Sequence, residues 1–247
     1  MRLQLMTWPE VEMYLKTSTG IIVPIGATEQ HGPTGLIGTD AICAESLAWR
    51  AGELAEAAVG PTLTVGMSEH HMHFPGSITL RPTTLVAVVR DVVLSLARHG
   101  FRRVFFINGH GGNTASINAG FFEAYAEAPR LLEDGDGVRC VCAEWWHTAS
   151  AQKLSVELFG DRDGDHASAS EVSVAAAAYP DHIKSAEMEA VPPPSTRVFG
   201  PADFRRRYPE GRMGSYPALA SVDAGQRITK EVAADLAEQY RQFLAEE

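Results

Sequence analysis

The chain alternates short apolar runs with longer segments of helical periodicity, and this alternation limits the folds that it can adopt. The apolar runs cover about residues 20–26, 61–66, 103–107 and 138–143, and turn-forming residues bound each of them. Short continuous runs of this kind are typical of parallel strands that are buried on both faces. The pattern therefore predicts an α/β fold with a mostly parallel central sheet.

Five further segments have the apolar spacing of helices. The clearest covers about residues 84–99, where Thr83 can cap the start and Gly100 the end. Strand–helix–strand units of this length connect by right-handed crossovers, which predicts a three-layer α/β/α sandwich. The other predicted helices cover about residues 40–57, 113–127, 168–178 and 229–245.

A length of 247 residues fits one large α/β domain or two small ones. No boundary interrupts the alternation, so we expect a single domain over residues 1–247. Residues 192–217 are rich in proline and contain three consecutive arginines, Arg205 to Arg207. We interpret this stretch as an ordered loop excursion that lines a pocket or forms a subunit contact.

Charge and cysteine content limit the partners of the chain. A net charge of −10 argues against nucleic acid or an anionic membrane as the main partner. Cys43, Cys140 and Cys142 form no CxxC pair, which favours a reducing compartment. Glu10 and Glu12 interrupt any signal-peptide core, and no apolar stretch approaches the ~20 residues that span a bilayer. We expect a cytoplasmic protein with a small-molecule substrate.

Metal-ligand residues follow two of the predicted strands. Glu29 and His31 come directly after the first run, and in extended backbone they point to the same side. The Gly- and Pro-rich loop that follows can bring Asp40 back to meet them. His110 follows the third run and lies among glycines. Ligand sites lie at the carboxyl ends of parallel strands, so we expect the two loops to meet there.

A third segment, from Asp165 to Glu171, completes the set of candidate residues. One of His166 and Glu171 can bind a metal while the other moves a proton, although a helix cap would give the same pattern. Oxygen and imidazole ligands without sulfur suit Zn²⁺, Mn²⁺ or Fe²⁺. A carboxylate such as Asp40 can bridge two ions ~3.5–4 Å apart, and such a pair lowers the pKa of a bridging water. The predicted ligands are Glu29, His31, Asp40, His110 and Glu171.

Several residues near these loops are candidates for substrate binding. Glu69 and His70 belong to a histidine-rich loop. One of them could contact the substrate or orient a metal ligand; the alternative is that both are ordinary polar residues of a loop. Trp145 and Trp146 follow the fourth run and either wall a planar pocket or belong to the core and its rim. Cys43 is more typical of a small buried residue than of a nucleophile. Gly111 and Gly112 leave room for a ligand near His110.

These segments resemble the creatininase family, the metal-dependent amidohydrolases named for creatinine amidohydrolase. The resemblance spans roughly residues 5 to 245. It implies a single α/β domain with a parallel sheet, a dinuclear metal site and often a hexamer. The matching stretches are Gly26–Pro33, Gly38–Asp40, Ser68–Leu80, Asn108–Asn113 and His166–Glu171.

The resemblance also implies how the ligands divide between the ions. Glu29, Asp40 and His110 would hold one ion, and His31 with Asp40 would hold the other together with one further carboxylate. In creatininase proper that carboxylate lies two residues after the histidine of the second motif, where this chain has Gly112. Glu171 is the expected substitute, as in family members that share the glycine.

The resemblance assigns proton transfer to the third segment. His166 aligns with a family histidine implicated in that step, and Asp165 lies where creatininase has Glu. Thr34 stands where the family usually has His and Ser168 where it usually has Gly, so pocket shape differs and creatinine is not predicted as the substrate.

The resulting hypothesis is hydrolysis of a C–N amide bond in a small cyclic or formylated compound. A hydroxide that bridges two divalent ions would attack the carbonyl, and one ion would hold the developing oxyanion. His166, helped by Asp165, would move a proton to the departing nitrogen. Two alternatives stay open: a related hydrolase of cyclic ketones or short peptides, and a non-enzymatic assembly protein with a structural metal. Structural zinc sites are usually closed and sulfur-rich, unlike these loops.

Overall fold

A computed structural model describes residues 1–132 and 137–246 of the chain. Strands alternate with α-helices, and short 3₁₀ turns join several of them. The strands are β1 (Gly20–Ile25), β2 (Ala58–Val59), β3 (Arg103–Asn108) and β4 (Arg139–Glu144). The helices are α1 (Trp8–Leu15), α2 (Thr39–Leu54), α3 (Pro82–Arg98), α4 (Thr114–Leu131), α5 (Ala149–Phe159), α6 (Ala169–Ala178), α7 (Pro201–Arg207) and α8 (Val222–Ala245).

The strands form one parallel sheet in the order β2-β1-β3-β4. β1 and β3 are in register along their whole length, because Ile25 pairs with Asn108 at their carboxyl ends. Asn108 in turn pairs with Glu144 at the end of β4. The loops that follow these three strands therefore start at the same edge of the sheet.

Helices cover both faces of the sheet, and this confirms the predicted three-layer α/β/α sandwich. Ile22 of β1 faces a core that α2, α5, α6 and α8 complete. Ile21, Val23 and Ile25 face the opposite core, which α1, α3 and α4 complete. The alternation of β1 side chains between two apolar layers explains why this strand is a continuous apolar run.

The second strand differs from the prediction. Residues 61–66 do not form a strand, since β2 ends at Val59 and the chain turns away at Pro61, which has no backbone N–H to donate to the sheet. One point of contact survives: Leu63 donates to the Pro24 carbonyl at 3.0 Å, and its own carbonyl accepts from Gly26 at 2.9 Å.

Helix boundaries also depart from the sequence prediction in places. Thr83 lies inside α3, which begins at Pro82 after an Arg81 cap. α8 begins at Val222 rather than near residue 229, because the Ser221 side chain accepts a hydrogen bond from Ala224. The prediction omitted α1, α5 and α7, and α7 lies within the proline-rich stretch. No helix of the described residues combines the length and the apolar composition that crossing a membrane requires.

The close approach of α6 to α8 depends on Gly225. A Cβ built on this residue would lie 1.8 Å from the Ser173 carbonyl oxygen and 2.8 Å from the Ala177 Cβ. The first of these atoms belongs to backbone, so it cannot move aside without shifting α6, the helix that carries Glu171.

We expect Gly225→Ala to destabilise the protein, although alanine favours a helix over glycine by about 1 kcal/mol. The clash with Ser173 outweighs this gain, and overpacking of this kind typically costs about 1–3 kcal/mol. Urea denaturation would measure the change in the free energy of unfolding. Gly137→Ala is the matched control, because no atom of the residues that the structure describes lies within 4 Å of a Cβ built there. An unchanged or raised stability of Gly225→Ala would contradict the predicted clash.

Candidate metal centre

The loop after β1 folds back on itself and places two predicted ligands against the start of α2. The Glu29 N–H donates to the Ile37 carbonyl at 2.8 Å, and the Gly35 N–H donates to the His31 carbonyl at 3.0 Å. Asp40 lies in the first turn of α2, where the positive end of the helix dipole stabilises a carboxylate. The side chains of Glu29 and His31 are fully buried, and that of Asp40 is nearly so.

Asp40 lies between two imidazoles and offers one oxygen to each. Its Oδ1 is 2.9 Å from His31 Nε2, and its Oδ2 is 3.2 Å from His110 Nδ1. Glu29 has the same relation to His110 and to His71: Oε2 is 3.3 Å from His110 Nε2, and Oε1 is 3.2 Å from His71 Nε2. The predicted residues of the first two loops therefore converge at one end of the sheet.

Glu171 reaches the centre from the first turn of α6. It forms a capping box with Ser168: the Ser168 N–H donates to Glu171 Oε1 at 2.6 Å, and the Glu171 N–H donates to Ser168 Oγ at 3.2 Å. The other oxygen, Oε2, lies 3.9 Å from His31 Nε2. Glu171 thus both caps its helix and faces the centre, two roles that the sequence presented as alternatives.

The position of Gly112 explains why a carboxylate cannot act from the second loop. A Cβ there would lie 2.3 Å from His110 Nε2 and 2.6 Å from the Met67 carbonyl oxygen. These two atoms form a hydrogen bond of 2.9 Å. A side chain at position 112 would break that bond, so with this backbone the third carboxylate has to come from elsewhere, and Glu171 is in place.

The centre fits divalent metal ions. Glu29 Oε1, Glu29 Oε2 and Asp40 Oδ2 are buried and have no hydrogen-bond partner among the described residues, although an imidazole nitrogen lies 3.2–3.3 Å from each. Two ligands of one tetrahedral zinc ion lie ~3.4 Å apart, because each is ~2.1 Å from the metal. Within the described residues, Glu29, His31 and Asp40 form one group whose ligand atoms all lie within 4.8 Å of one another, and His31, His166 and Glu171 form another.

Backbone carbonyls orient two of the imidazoles as metal ligands require. His31 Nδ1 donates to the Glu29 carbonyl at 3.1 Å, and His110 Nε2 donates to the Met67 carbonyl at 2.9 Å. A carbonyl can only accept, so each of these nitrogens carries the ring proton of the neutral imidazole. In the neutral form that binds metal, the lone pairs of His31 Nε2 and His110 Nδ1 face Asp40, which is the arrangement that metal-binding histidines usually show.

Without metal, protons balance part of the negative charge. Burial alone lowers the pKa of His31 and of His110, but the neighbouring carboxylates outweigh it and raise these pKa values to about 10 and about 9. Burial and the nearby Asp40 raise the pKa of Glu171 to about 7. Burial works against ionisation of Asp40 too, but His31 and His110 hold the pKa of this carboxyl below its usual range.

The predicted proton-transfer pair is only partly assembled. His166 lies at the centre, with Nδ1 3.7 Å from Glu29 Oε1. Asp165 is exposed. Among the described residues, the polar contacts of the His166 ring are with Gln30 and Glu29 and not with Asp165, so the structure shows no contact through which Asp165 would assist this imidazole, and that role stays a prediction. The strained turn at Ala167, with φ of 55°, separates Asp165 and His166 from the cap of α6.

The histidine-rich loop contributes differently from the prediction. Glu69 is exposed, and neither it nor His70 lines the cleft described below, although the ring of His70 lies 6.0 Å from and nearly parallel to that of His110. His71, which the prediction left out of the site, is buried beside Glu29. Phe204 of α7 packs edge-on against the His71 ring at 4.4 Å, so the proline-rich stretch covers the back of the centre.

A cleft of about 440 Å³ opens over the centre. Asp40, His110, His166 and Glu171 lie at its base. Gly111 and both predicted tryptophans also line it: Trp146 is half-buried, while Trp145 is buried and belongs mainly to the core. Cys43 does not line the cleft, since its buried thiol donates to the Glu171 carbonyl at 3.4 Å. Burial raises the pKa of the Cys43 thiol, which makes it a poor nucleophile.

The creatininase family model, described as creatinine amidohydrolase, matches residues 4–240. The creatinine amidohydrolase of Pseudomonas putida is 30% identical over 251 residues, which cover 96% of this chain and 95% of that protein. A solved structure described as "Creatininase Mn" has a TM-score of 0.86 at 26% identity and covers 99% of each chain. A mutant creatininase of the "Zn-Zn type" also has a TM-score of 0.86, at 27% identity, and covers 99% of this chain and 98% of that one.

Two other relatives match over shorter stretches. The mycofactocin precursor peptide peptidase of Mycolicibacterium smegmatis is 32% identical over 105 residues, or 40% of this chain and 42% of that protein. The 3-dehydro-scyllo-inosose hydrolase of Thermotoga maritima is 28% identical over 109 residues, or 44% of this chain and 35% of that protein. Proteins with similar sequences therefore act on chemically different substrates.

Replacing Asp40 with Asn should weaken binding of Zn²⁺ or Mn²⁺ at least about 100-fold, because Asp40 offers oxygens to both halves of the centre. Metal analysis after dialysis against a chelator of known affinity would measure the loss. Asp165→Asn removes a carboxylate from the same cleft without touching the imidazoles, and it should retain its metal. Full metal occupancy in Asp40→Asn would rule out a bridging role for this residue.

Metal should stabilise the protein more at about pH 8.5 than at about pH 6. His31, His110 and Glu171 have raised pKa values in the metal-free fold, so the stability that their protons contribute is lost as pH rises towards about 7 to 10. Metal displaces those protons, so its affinity rises over the same range. Thermal unfolding with and without Zn²⁺ at both pH values would measure the difference. A metal-dependent shift in Tm that is equal at both pH values would contradict this linkage.

Proposed function

The chain belongs to the creatininase family, and on this premise we propose that it is a metal-dependent amidohydrolase that cleaves a C–N amide bond in a small cyclic or formylated compound. One observation carries the proposal. Among the described residues, Glu29 and Asp40 have buried oxygens without a hydrogen-bond partner, each beside an imidazole, and Asp40 also lines an open cleft. A cleft of about 440 Å³ is of the size that small ligands occupy, for which about 300–1,000 Å³ is usual.

The converging carboxylates and imidazoles would hold two divalent ions, which would be Zn²⁺, Mn²⁺ or Fe²⁺. Glu29, Asp40 and His110 would hold one ion, and His31, Asp40 and Glu171 the other. When bound, such ions supply a water of lowered pKa and polarise a carbonyl oxygen. The chain itself supplies the geometry, because the β1 loop, α2 and α6 fix the carboxylates before any substrate arrives.

His166 is the residue that we propose moves the proton. Its Nδ1 faces the carboxylates at 3.7 Å from Glu29 Oε1, and its ring lies at the base of the cleft, next to the place where an amide nitrogen would depart. Burial, together with the neighbouring His71 and His31, holds the pKa of His166 well below its usual range. In the metal-free fold the imidazole is therefore neutral.

The cleft supports a small substrate better than a peptide. Trp146 and Gly111 form one wall, and the buried ligands form the base, which suits a compact planar compound. A peptide and a cyclic ketone stay as alternative substrates, because a peptide peptidase and an inosose hydrolase each match part of the chain. A closed structural metal site fits less well, since Asp40, His110 and Glu171 line an open cleft and the nearby Cys43 does not face it. We also propose that the protein forms a homo-oligomer, and the family resemblance favours a hexamer.

A panel of cyclic amides, formamides, short peptides and cyclic ketones would test the proposed reaction on the metal-loaded enzyme. We expect turnover of one of the first two classes and none without metal. Turnover confined to peptides or ketones would replace the amide assignment with the corresponding alternative. No turnover of any class, by a protein that binds no metal ion after Zn²⁺ or Mn²⁺ is added, would favour a non-catalytic role.

On the substrate that is turned over, His166→Gln should lower kcat by about 10²–10⁴-fold, the usual effect of losing a proton-transfer group. Its metal content should be unchanged, which would separate proton transfer from ligation. His73→Gln is the matched control, because His73 is exposed and does not line the cleft. A rate of His166→Gln equal to that of the unaltered enzyme would remove His166 from the mechanism.

A further inference from the structure

Gln30 lies between two predicted ligands in the chain and contacts two further imidazoles through its side chain. Its amide nitrogen lies 2.9 Å from His71 Nδ1 and 2.8 Å from His166 Nε2. The two imidazoles stack on each other with ring centroids 4.3 Å apart and an angle of 25° between their planes. Both face Glu29 Oε1, from His71 Nε2 at 3.2 Å and from His166 Nδ1 at 3.7 Å.

The orientation of the Gln30 amide is fixed by backbone groups. Its Oε1 accepts from the Gly32 N–H at 2.9 Å, and its Nε2 donates to the Gly211 carbonyl at 2.8 Å. Exchanging the oxygen and nitrogen would oppose like groups at both positions. An amide nitrogen has two hydrogens. Because Gly211 takes one, a single N–H is left for the two imidazoles.

The Gln30 backbone decides which imidazole receives that N–H. The Gln30 carbonyl oxygen lies 2.8 Å from His166 Nε2. A carbonyl only accepts, so His166 Nε2 carries a proton and cannot accept from the amide as well. The remaining amide hydrogen then goes to His71 Nδ1. This assignment makes three hydrogen bonds and leaves the His166 Nε2 donor beside the amide nitrogen, whereas the reverse one makes two and sets a bare ring nitrogen against the carbonyl oxygen.

We propose that Gln30 is a positioning residue that gives the two stacked imidazoles opposite functions at Glu29. Its side chain leaves the His71 proton on Nε2, the nitrogen that lies 3.2 Å from Glu29 Oε1 without forming a hydrogen bond to it, so His71 is not a metal ligand. Its backbone carbonyl holds the His166 proton on Nε2, so His166 presents a bare Nδ1 to the centre. The importance of this for catalysis rests on the proposed function, whereas the proton positions themselves do not.

Distances alone would place His71 and His166 together in one metal site. Glu29, His71 and His166 offer ligand atoms that all lie within 4.8 Å of one another, as a metal site would. The Gln30 contacts exclude His71 from such a site and leave His166 able to accept a proton. Phe204 packs edge-on against His71 and holds this imidazole beside the amide.

Solid-state ¹⁵N NMR of protein labelled at the histidine ring nitrogens would test the proton positions, with signals assigned from His71→Gln and His166→Gln. We expect both imidazoles to be protonated at Nε2 and bare at Nδ1, and the His71 signals to stay outside the metal-ligated range when Zn²⁺ is added. In Gln30→Glu at about pH 8, a carboxylate replaces the donor, so the His71 proton should move to Nδ1 while His166 is unchanged.

If Gln30→Glu does not fold, Gln30→Met replaces it in the same NMR experiment, because methionine removes the donor without adding charge. It should give a mixture of both His71 protonation forms with His166 again unchanged. Gln152→Glu is the matched control, since it places the same change in the cleft wall away from the imidazoles and should leave the His71 signals in place. On an active substrate, Gln30→Glu should lower kcat at least about tenfold. KM should change less than about threefold, because Gln30 does not line the cleft.

Three results would overturn the proposal: a proton on His71 Nδ1 in the unaltered protein, a His71 signal that shifts into the metal-ligated range, or His71 signals that do not respond to either change at Gln30. None of these readouts depends on turnover. A protein with the expected signals and no hydrolytic activity would contradict the proposed function and leave the inference about Gln30 standing.

Discussion

The structure has to stabilise three carboxylates that it brings together at one end of the sheet. Glu29 and Asp40 are buried and Glu171 is 14% exposed, so water cannot solvate these three carboxylates as it would on the surface. Within the described residues, their ion-pair partners are all histidines. In the metal-free fold, protons on His31 and His110 offset part of the charge. Divalent ions would do so more completely, and the carboxylate oxygens without partners face the places where such ions would lie.

The fold brings this charge together with short connections. β1 and β3 end in register, so the loops after them start side by side, and α2 and α6 both direct their positive ends at the centre through Asp40 and Glu171. The cap of α6 uses only one oxygen of Glu171 and leaves the other for the centre. A single side chain therefore stabilises a helix end and completes the ligand set, which is why this chain can have a glycine at position 112.

The fold class and most of the site could be predicted from the sequence, because continuous apolar runs and ligand-rich loops at their ends are local patterns. β2 could not: Ala58 and Val59 belong to no run, and their pairing with β1 is a tertiary contact. The capping sequence Thr7–Glu10 is a local signal that indicates the start of α1. The place of His71 and the failure of Asp165 to reach His166 depend on loop geometry, which residue type and spacing do not encode.

α6 is buried on most of its surface, with Ser173, Val174 and Ala175 shielded by the neighbouring helices and Gly225 pressed against its backbone. A carboxylate on a loop can follow the ion that it meets, but one on an enclosed helix cannot move without moving the core. Oxygen and imidazole donors accept Zn²⁺, Mn²⁺ and Fe²⁺ alike. With one wall of the cavity held rigid at Glu171, ionic radius becomes the property by which this centre would choose among them.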